Sequence, residues 1–451
     1  MISPASLLSR APAASPVSHP RTNKRRPTPS TASRFYCCLQ QKGVWYNPER
    51  RRTFIQPDLR RRWVQTDAPL TSSPQDRFLI CSYNILGDCN ASKHTDLYSR
   101  KPSDLMRWDE RKRLIFEELR NWGADMVCLQ EVDRYDDLLN YMKKGGYAGS
   151  YKRRTGVAMD GCAMFWKHKL FRLLEGTCIE FQGFGLRDNV AQLFVFEMNK
   201  DDSTIVVVGN IHVLFNPNRG DIKLAQIRLF LQKAHALSAK WGGVPVLLAG
   251  DFNSTPQSAI YKFLSSSKLN LKLHDRRHLS GQSSCHPAQF FIKQRQPYVN
   301  RFLNYCWTEE ELITASGDSK CTTLKHPLKL CSSYAKVKTN RRTRGPKGEP
   351  LATSYHSKFL GTVDYLWYSD GLVPQRVLDT LPIDVLLRTG GLPTQELGSD
   401  HLALVCEFAF TQKYARESLA GGETEEDKEN QPTILNRKIS KNTGCEEPRP
   451  C

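Results

Sequence analysis

The sequence predicts an α+β protein in which two packed β-sheets are flanked by helices. Two observations carry that reading. Eight short β-rich segments are spread between residues 78 and 408, and only four helical patterns lie among them. A single parallel sheet needs a crossover, usually a helix, for almost every strand, so strands this numerous must pair largely with one another in two layers. The strand segments are Phe78–Leu86, Asp125–Glu131, Cys162–Trp166, Ala191–Glu197, Thr204–Val213, Val244–Ala249, Val363–Tyr368 and Leu402–Phe408. Each is an apolar run rich in aromatic or β-branched residues. The helical segments are Trp108–Trp122, Asp136–Lys144, Asp221–Trp241 and Gln257–Ser265. In the long one, Ile222, Ala225, Leu229, Ala236 and Leu237 recur near helical spacing. Pro256 suits a first helical turn, with Thr255 before it as N-cap. Residues 316–350 show neither period and read as a long exposed insertion in the folded body.

Composition bounds the function. The chain has 451 residues, 39% of them hydrophobic, enough for one large sandwich with polar ends. No apolar run of about 18 residues occurs, so no membrane partner is expected. The formal charge is +19, of which +10 falls on residues 1–67, −1 on residues 411–451 and +10 on residues 68–410. Nine basic residues and no acidic one lie between Lys320 and Lys347, so the rest of the body is close to neutral. A polyanionic partner is therefore supported through one loop and one leader, not through the whole surface. The domains expected are a basic leader over 1–67, a catalytic domain over 68–410 with the basic insertion at about 316–350, and a disordered tail over 411–451. The first 48 residues hold no Asp or Glu and are rich in Ser, Pro, Ala and Arg. That composition fits both an organellar transit peptide, for mitochondrion or chloroplast, and a plain basic extension. The fourteen cysteines show no C-x-x-C pair. Cys81, Cys128, Cys162 and Cys406 sit singly in apolar runs, as reduced core thiols of an intracellular protein do.

Polar and acidic residues recur where the apolar runs end. They are Asn84 in CSYNILGD, Glu131 in MVCLQEVD, His212 in VVVGNIHVLFNP, Asp251 and Asn253 in VLLAGDFNS, Asp364 in GTVDYLWYS, and Asp400 with His401 in LGSDHLALV. A carboxylate at the rim of a sheet is costly unless paired, hydrogen-bonded or bound to metal. Singly, each has a structural reading as a turn, a cap or a satisfied core group. Together they make a hard-oxygen donor set suited to magnesium, with candidates to neutralise a phosphate, orient a water and take its proton.

In order, the blocks YNIL, LQEV, GDFN, VDYLW and SDHLAL resemble the endonuclease/exonuclease/phosphatase superfamily over about residues 77–410. The resemblance implies a four-layer αββα sandwich with a magnesium site, of one or two ions, in the cleft between the sheet edges. It implies Glu131 as the acidic ligand with Asn84 beside it, and Asp251 as the carboxylate that orients or deprotonates the water. Asn253 would hold the phosphate or metal geometry, and His401 the scissile phosphate or a second metal. Asp364 would pair with His401, and His212 and Asp400 would complete the set, Asp400 as a further ligand. The metal ligands implied are thus Glu131, Asn84, Asp251 and His401.

The blocks DGCAMFWK, RDNVA, HVLFNP followed by DIKLAQ, LCSSYA and SKFLGTVDYLWYS are similar to the carbon-catabolite-repressor and nocturnin deadenylases. That similarity implies a 3′-to-5′ exoribonuclease that trims poly(A) and releases 5′-AMP, with adenine held by Phe359, Pro217 and Asn253. Cytoplasm and nucleus follow from the same family. No leucine-rich repeat precedes the domain, so docking into the large deadenylase complex is not implied. The basic insertion admits two readings, an RNA-phosphate contact and a solvated loop. The competing functions are a nocturnin-like 2′-phosphatase acting on NADP and a non-catalytic RNA-binding relative. Every catalytic position holds a competent residue, which argues against the second.

Overall fold

The computed structural model describes residues 57–68, 76–199, 204–288, 307–337 and 340–411. The expected leader up to residue 56 and the tail from residue 412 lie outside them. The body begins earlier than the expected boundary at residue 68. A first strand, β1 (Trp63–Gln65), pairs with β16 (Leu372–Leu378), and the Arg61 guanidinium donates to the carbonyls of Leu378, Asp379 and Ala403 at 3.0, 2.8 and 2.7 Å.

Two mixed sheets form the centre. One has the order β1, β16, β17 (Leu404–Phe410), β2 (Arg77–Asn84), β3 (Met126–Val132), β5 (Gly161–Lys167) and β4 (Tyr147–Arg153). The other runs β12 (Cys331–Ser332), β15 (Asp364–Tyr368), β9 (Val246–Asp251), β8 (Thr204–His212), β7 (Val190–Met198) and β6 (Phe171–Glu180). Two short antiparallel pairs complete the strands, β10 (Lys268–Asn270) with β11 (Thr323–Lys325), and β13 (Ser354–His356) with β14 (Phe359–Gly361). Helices α1 (Asp88–Lys93) and α2 (Ser103–Met106) lie in the connection after β2, followed by α3 (Trp108–Trp122) and α4 (Tyr135–Lys144). Helices α5 (Gly220–Lys240) and α6 (Ala259–Ser266) come later in the chain.

The layering follows from which face each element buries. Phe78, Ile80, Met126 and Met164 of the first sheet meet Phe194, Val206, Leu247 and Leu366 of the second in one core. On the outer face of the first sheet, α3 and α4 pack Ile115, Leu119, Leu138 and Met142 against Tyr83, Val127 and Phe165. On the outer face of the second, α5 and α6 pack Ile227, Phe230, Phe263 and Leu264 against Leu193, Val207 and Leu248. The result is the expected four-layer αββα sandwich.

The helix ends show how local chemistry sets boundaries. Helix α3 stops at Gly123, whose φ of +58° is the left-handed conformation glycine tolerates. Helix α6 starts later than expected, because Ser258, not Thr255, caps it by accepting from Tyr261 N at 3.1 Å. Nine strands among the described residues were not expected from the sequence. Three of them carry the reason in their composition: β4 holds Gly149, Lys152 and Arg153, β6 alternates charged with apolar residues at a sheet edge, and β16 contains Pro374 at a register shift.

The basic stretch is a correction too. Residues 316–350 are not an exposed insertion. They supply β11 and β12, and they bury Leu324, Leu328, Leu330, Tyr334 and Val337. The Arg344 guanidinium is fully buried against Asp379 Oδ1 at 2.6 Å, and Tyr334 donates to Leu378 O at 2.8 Å. From Leu324 to Leu330 buried residues alternate with exposed ones, so Lys325 and Lys329 face out, while β12 closes the second sheet.

Topology gathers the polar residues at one end. Strands β2 and β3 run parallel with Asn84 level with Gln130, and β8 and β9 run parallel with His212 level with Asp251. Antiparallel β15 sets Asp364 level with Asp251. The sheets are tied across the core by Gln130 Nε2, which donates to Asn210 Oδ1 at 2.8 Å, and by Asn210 Nδ2, which donates to the carbonyls of Leu129 and Ala163 at 3.0 Å.

If residues 340–350 belong to the folded body, Arg344→Ala should cost about 3–5 kcal/mol, because it strands a buried carboxylate. Arg342→Ala, which breaks an exposed pair with Asp384, should cost less than about 1 kcal/mol. Urea denaturation of the two variants checks this, and equal small losses would contradict the packing described.

Candidate active site

The cleft opens between the two sheet edges, with a cavity of about 130 Å³. Glu131 reaches it from a distorted strand end. It has φ +56°, and the β3–β5 register shifts between Leu129 and Val132. Leu86 and Asn253 also have positive φ, +56° and +46°. Backbone strain of this kind persists only where the surroundings over-determine it, and here it aims three loops at one space. Gly250 is required beside them. It has φ +148°, and a Cβ there would fall 2.0 Å from the Ile211 carbonyl oxygen of the neighbouring parallel strand.

The carboxylates converge. Asn84 Nδ2 donates to Glu131 Oε1 at 3.0 Å and to Asp251 Oδ2 at 3.2 Å. His212 Nε2 lies 3.9 Å and 3.7 Å from the same two oxygens, and its buried Nδ1 has no hydrogen-bond partner. Donor atoms of Asp251, Asp364 and His401 lie within 4.8 Å of one another. His401 Nδ1 contacts Asp364 Oδ2 at 2.9 Å, as the sequence led one to expect for that pair. Asp400 is buried and accepts from Tyr98 Oη at 2.8 Å.

Electrostatics follow from this crowding. Burial pushes the Asp251 carboxyl up, Asp364 beside it adds to the rise, and the His401 and His212 imidazoles oppose it. Burial also works against charge on Glu131. The His212 imidazole, the Asn90 and Asn84 amides and His401 outweigh it and hold that carboxyl below its ordinary value. For His401, burial disfavours the cation, yet Asp364, Asp400 and Asp251 raise the imidazole well above its usual range. Two donor groups in the cleft fit a divalent ion. Glu131 and Asp251 oxygens share the partial positive charge of the Asn84 amide, and Asp251, Asp364 and His401 form a second, overlapping cluster.

Residues absent from the sequence reading complete the walls. Asn90 Nδ2 donates to Glu131 Oε2 at 2.8 Å. Asn189, in the RDNVA block, donates to the His212 carbonyl at 3.0 Å and lines the cleft. Arg154, Phe215, Gln282 and His356 line it as well. Nothing in local sequence marks Asn90 or Gln282, since their partners are distant in the chain. Phe359 is 8% exposed, lines the cleft, and its ring lies 6.0 Å from that of His356. Pro217 is half-buried and outside the lining; Phe215, two residues earlier and 53% exposed, stands there instead. The Asn253 amide is held at both ends, donating to Val213 O and accepting from Gln282 Nε2, each at 2.9 Å. Beneath it Lys223 is fully buried, and its ammonium donates to Asn253 O at 2.8 Å, to Phe215 O at 3.2 Å and to the Gln282 side chain.

Comparison with known proteins agrees with this architecture. The model of the endonuclease/exonuclease/phosphatase family matches residues 81–401. Carbon catabolite repressor protein 4 homolog 3 of Arabidopsis thaliana is 55% identical over 375 residues, covering 81% of this chain and 83% of that protein. Homolog 5 of the same plant is 50% identical, covering 81% and 84%. Among solved structures, ANGEL2, described as a 2′,3′-cyclic phosphatase and bound to adenosine-2′,3′-vanadate, superposes with a TM-score of 0.64. It is 29% identical, over 78% of this chain and 99% of that one.

Asp364→Asn should bring the His401 titration down in pH, towards its unfolded-state value. The raised imidazole stabilises the fold below that unfolded-state value, and the contribution is lost as pH rises through the folded-state value. The variant should therefore lose stability in neutral and mildly acidic buffer and little at high pH. NMR titration of His401 in metal-free protein, with melting curves across pH, measures both. An unmoved midpoint would show that Asp364 does not govern the imidazole.

Proposed function

The chain belongs to the endonuclease/exonuclease/phosphatase family, and from that premise we propose that it is a magnesium-dependent 3′-to-5′ exoribonuclease that prefers poly(A) and releases 5′-AMP. The observation that carries the reading is the convergence of Glu131, Asp251, Asn84 and the His401–Asp364 pair at the mouth of one small cavity flanked by an aromatic ring. A divalent cation held by Glu131 and Asp251, with Asn84 beside them, would offset the charge of the substrate phosphate. His401, kept cationic by Asp364, holds a non-bridging phosphate oxygen. Asp251 orients a water and accepts its proton as the water oxygen bonds to phosphorus. The bond from phosphorus to the upstream 3′-oxygen breaks, and that oxygen takes a proton to become the new 3′-hydroxyl. Phe359 offers a stacking face to the terminal base, and Phe215 stands where Pro217 was expected to close the other side. Asn253, fixed at both amide ends, keeps its remaining amide hydrogen and carbonyl lone pair for base or phosphate.

A second reading has its own support. ANGEL2, a 2′,3′-cyclic phosphatase by description, shares this fold at 29% identity. The same groups would then open a cyclic phosphate at an RNA end, with the attacking water and proton acceptor unchanged.

The test is incubation of the full chain with A-tailed RNA, non-A RNA, RNA ending in a 2′,3′-cyclic phosphate, and NADP, with and without magnesium. Release of 5′-AMP from the A-tailed strand alone supports the first reading. Loss of the cyclic phosphate without shortening replaces it with the second. Glu131→Ala should reduce turnover by at least 100-fold, on the order expected for loss of a metal ligand, with an unchanged circular-dichroism spectrum. Phe359→Ala should reduce preference for A over other 3′ ends by about tenfold, the scale of one lost base–aromatic stack; an unaltered preference would make the ring a packing residue only.

A further inference from the structure

We propose that the hairpin between β4 and β5, residues 153–160, is the docking surface for single-stranded RNA on the 5′ side of the bond being cut. The proposal rests on the RNA reading above and names where the strand runs. The cavity, about 130 Å³, holds little more than the reacting end of one nucleotide. A polymer substrate must therefore continue over its rim.

The hairpin has the two features a strand needs there. At its base, Arg154 lines the cleft. Its Nε and Nη2 bind Asp160 Oδ1 at 3.1 and 2.7 Å, which fixes the guanidinium plane and leaves the Nη1 side for a phosphate. At its tip, Val157 is 94% exposed and Met159 55% exposed. A single exposed aliphatic side chain is ordinary, but this pair is held out on a braced frame. Arg153 donates to the carbonyls of Gly156 and Ala158. Thr155 binds Asp188 twice, Oγ1 to its carboxylate at 2.7 Å and N to its carbonyl at 3.1 Å. The tip is thus preorganised with its apolar groups in water.

Charge and continuity select the occupant. Lys152, Arg153 and Arg154 are consecutive; Lys152 pairs with Glu180 and Arg154 with Asp160, while Arg153 donates to backbone carbonyls and adds its charge beside them. Phe215, which lines the same cavity, is 53% exposed. A basic stem leading from the reaction centre to an apolar tip matches a strand that alternates phosphates with bases. Arg154 takes the first phosphate outside the cavity, and Val157 and Met159 present a face to the base beyond it. Such contacts tolerate any base, so adenine preference stays with the inner pocket.

The experiment compares oligoadenylates of two and eight nucleotides, rA2 and rA8, with the full-length protein. Affinity is read by fluorescence anisotropy in magnesium-free buffer and KM by cleavage with magnesium. Wild type should favour rA8 over rA2. Val157→Asp combined with Met159→Asp should cut that preference about tenfold, equivalent to about 1.4 kcal/mol. The control Leu273→Asp, at a side chain 66% exposed on the 3₁₀ turn Leu271–Leu273, should leave the preference unchanged. An unaltered rA8:rA2 preference in the double variant overturns the proposal, and so does an equal loss in the control. It is also overturned if wild type binds the two lengths equally, which would leave the tip as a contact for a protein partner. If rA8 binds as described but neither oligomer is cleaved, the surface stands and the exonuclease reading fails.

Discussion

The hydrogen bond between Gln130 and Asn210 sets the position of everything at the cleft. Both side chains have no solvent exposure, and they join the two sheets through a largely apolar interface that Gln192 also bridges, donating to Ser150 O at 3.2 Å. Apolar packing between sheets is weakly directional, and it would tolerate sliding. A buried amide pair does not, since each donor left unpaired costs about 1–3 kcal/mol. Gln130 precedes Glu131, and Asn210 lies two residues before His212. Locking the one pair therefore places the other. A slip of one strand residue, about 3.3 Å, would separate Glu131 from Asp251 altogether.

The electrostatic design depends on that alignment. Three carboxylates, buried Asp251 and Asp364 and half-buried Glu131, are brought together with two imidazoles and one shared amide. Left alone, the carboxylates would repel, and burial first and the Asp364 charge second raise the affinity of Asp251 for a proton. The two halves of the cluster then divide the work. Asp364 contacts His401 and raises its affinity for a proton. Glu131 and Asp251 share the Asn84 amide, with His212 Nε2 3.9 and 3.7 Å from them. The strained backbone at Leu86, Glu131 and Asn253 belongs to the same arrangement, because relaxed strand ends would point these groups elsewhere.

The sequence revealed what is encoded locally. The eight expected strands and four expected helices are present with boundaries shifted by a few residues, since apolar runs and helical spacing are properties of neighbours in the chain. Glu131, Asp251, Asp364 and His401 were legible as polar residues that end apolar runs, and the structure brings them together. The edge strands β4 and β6 were not legible, because an edge permits Lys, Glu and Gly. The segment 323–331 misled for a subtler reason. Its buried Leu324, His326, Leu328 and Leu330 alternate with exposed residues, a strand-like period hidden under the charge of Lys325 and Lys329. Asn90 and Gln282 were illegible in principle, because their partners are assembled only by the tertiary fold.

Lys223 has a consequence for how this pocket can diverge. One ammonium group fastens the loop bearing Phe215, the loop bearing Asn253 and the turn bearing Gln282, each from a different part of the chain. None of the three can lengthen, shorten or tilt without withdrawing an acceptor from a fully buried amine. Guest selectivity on that wall is therefore a joint property of three segments. Descendants with a new specificity would have to change them together, or else surrender the lysine first.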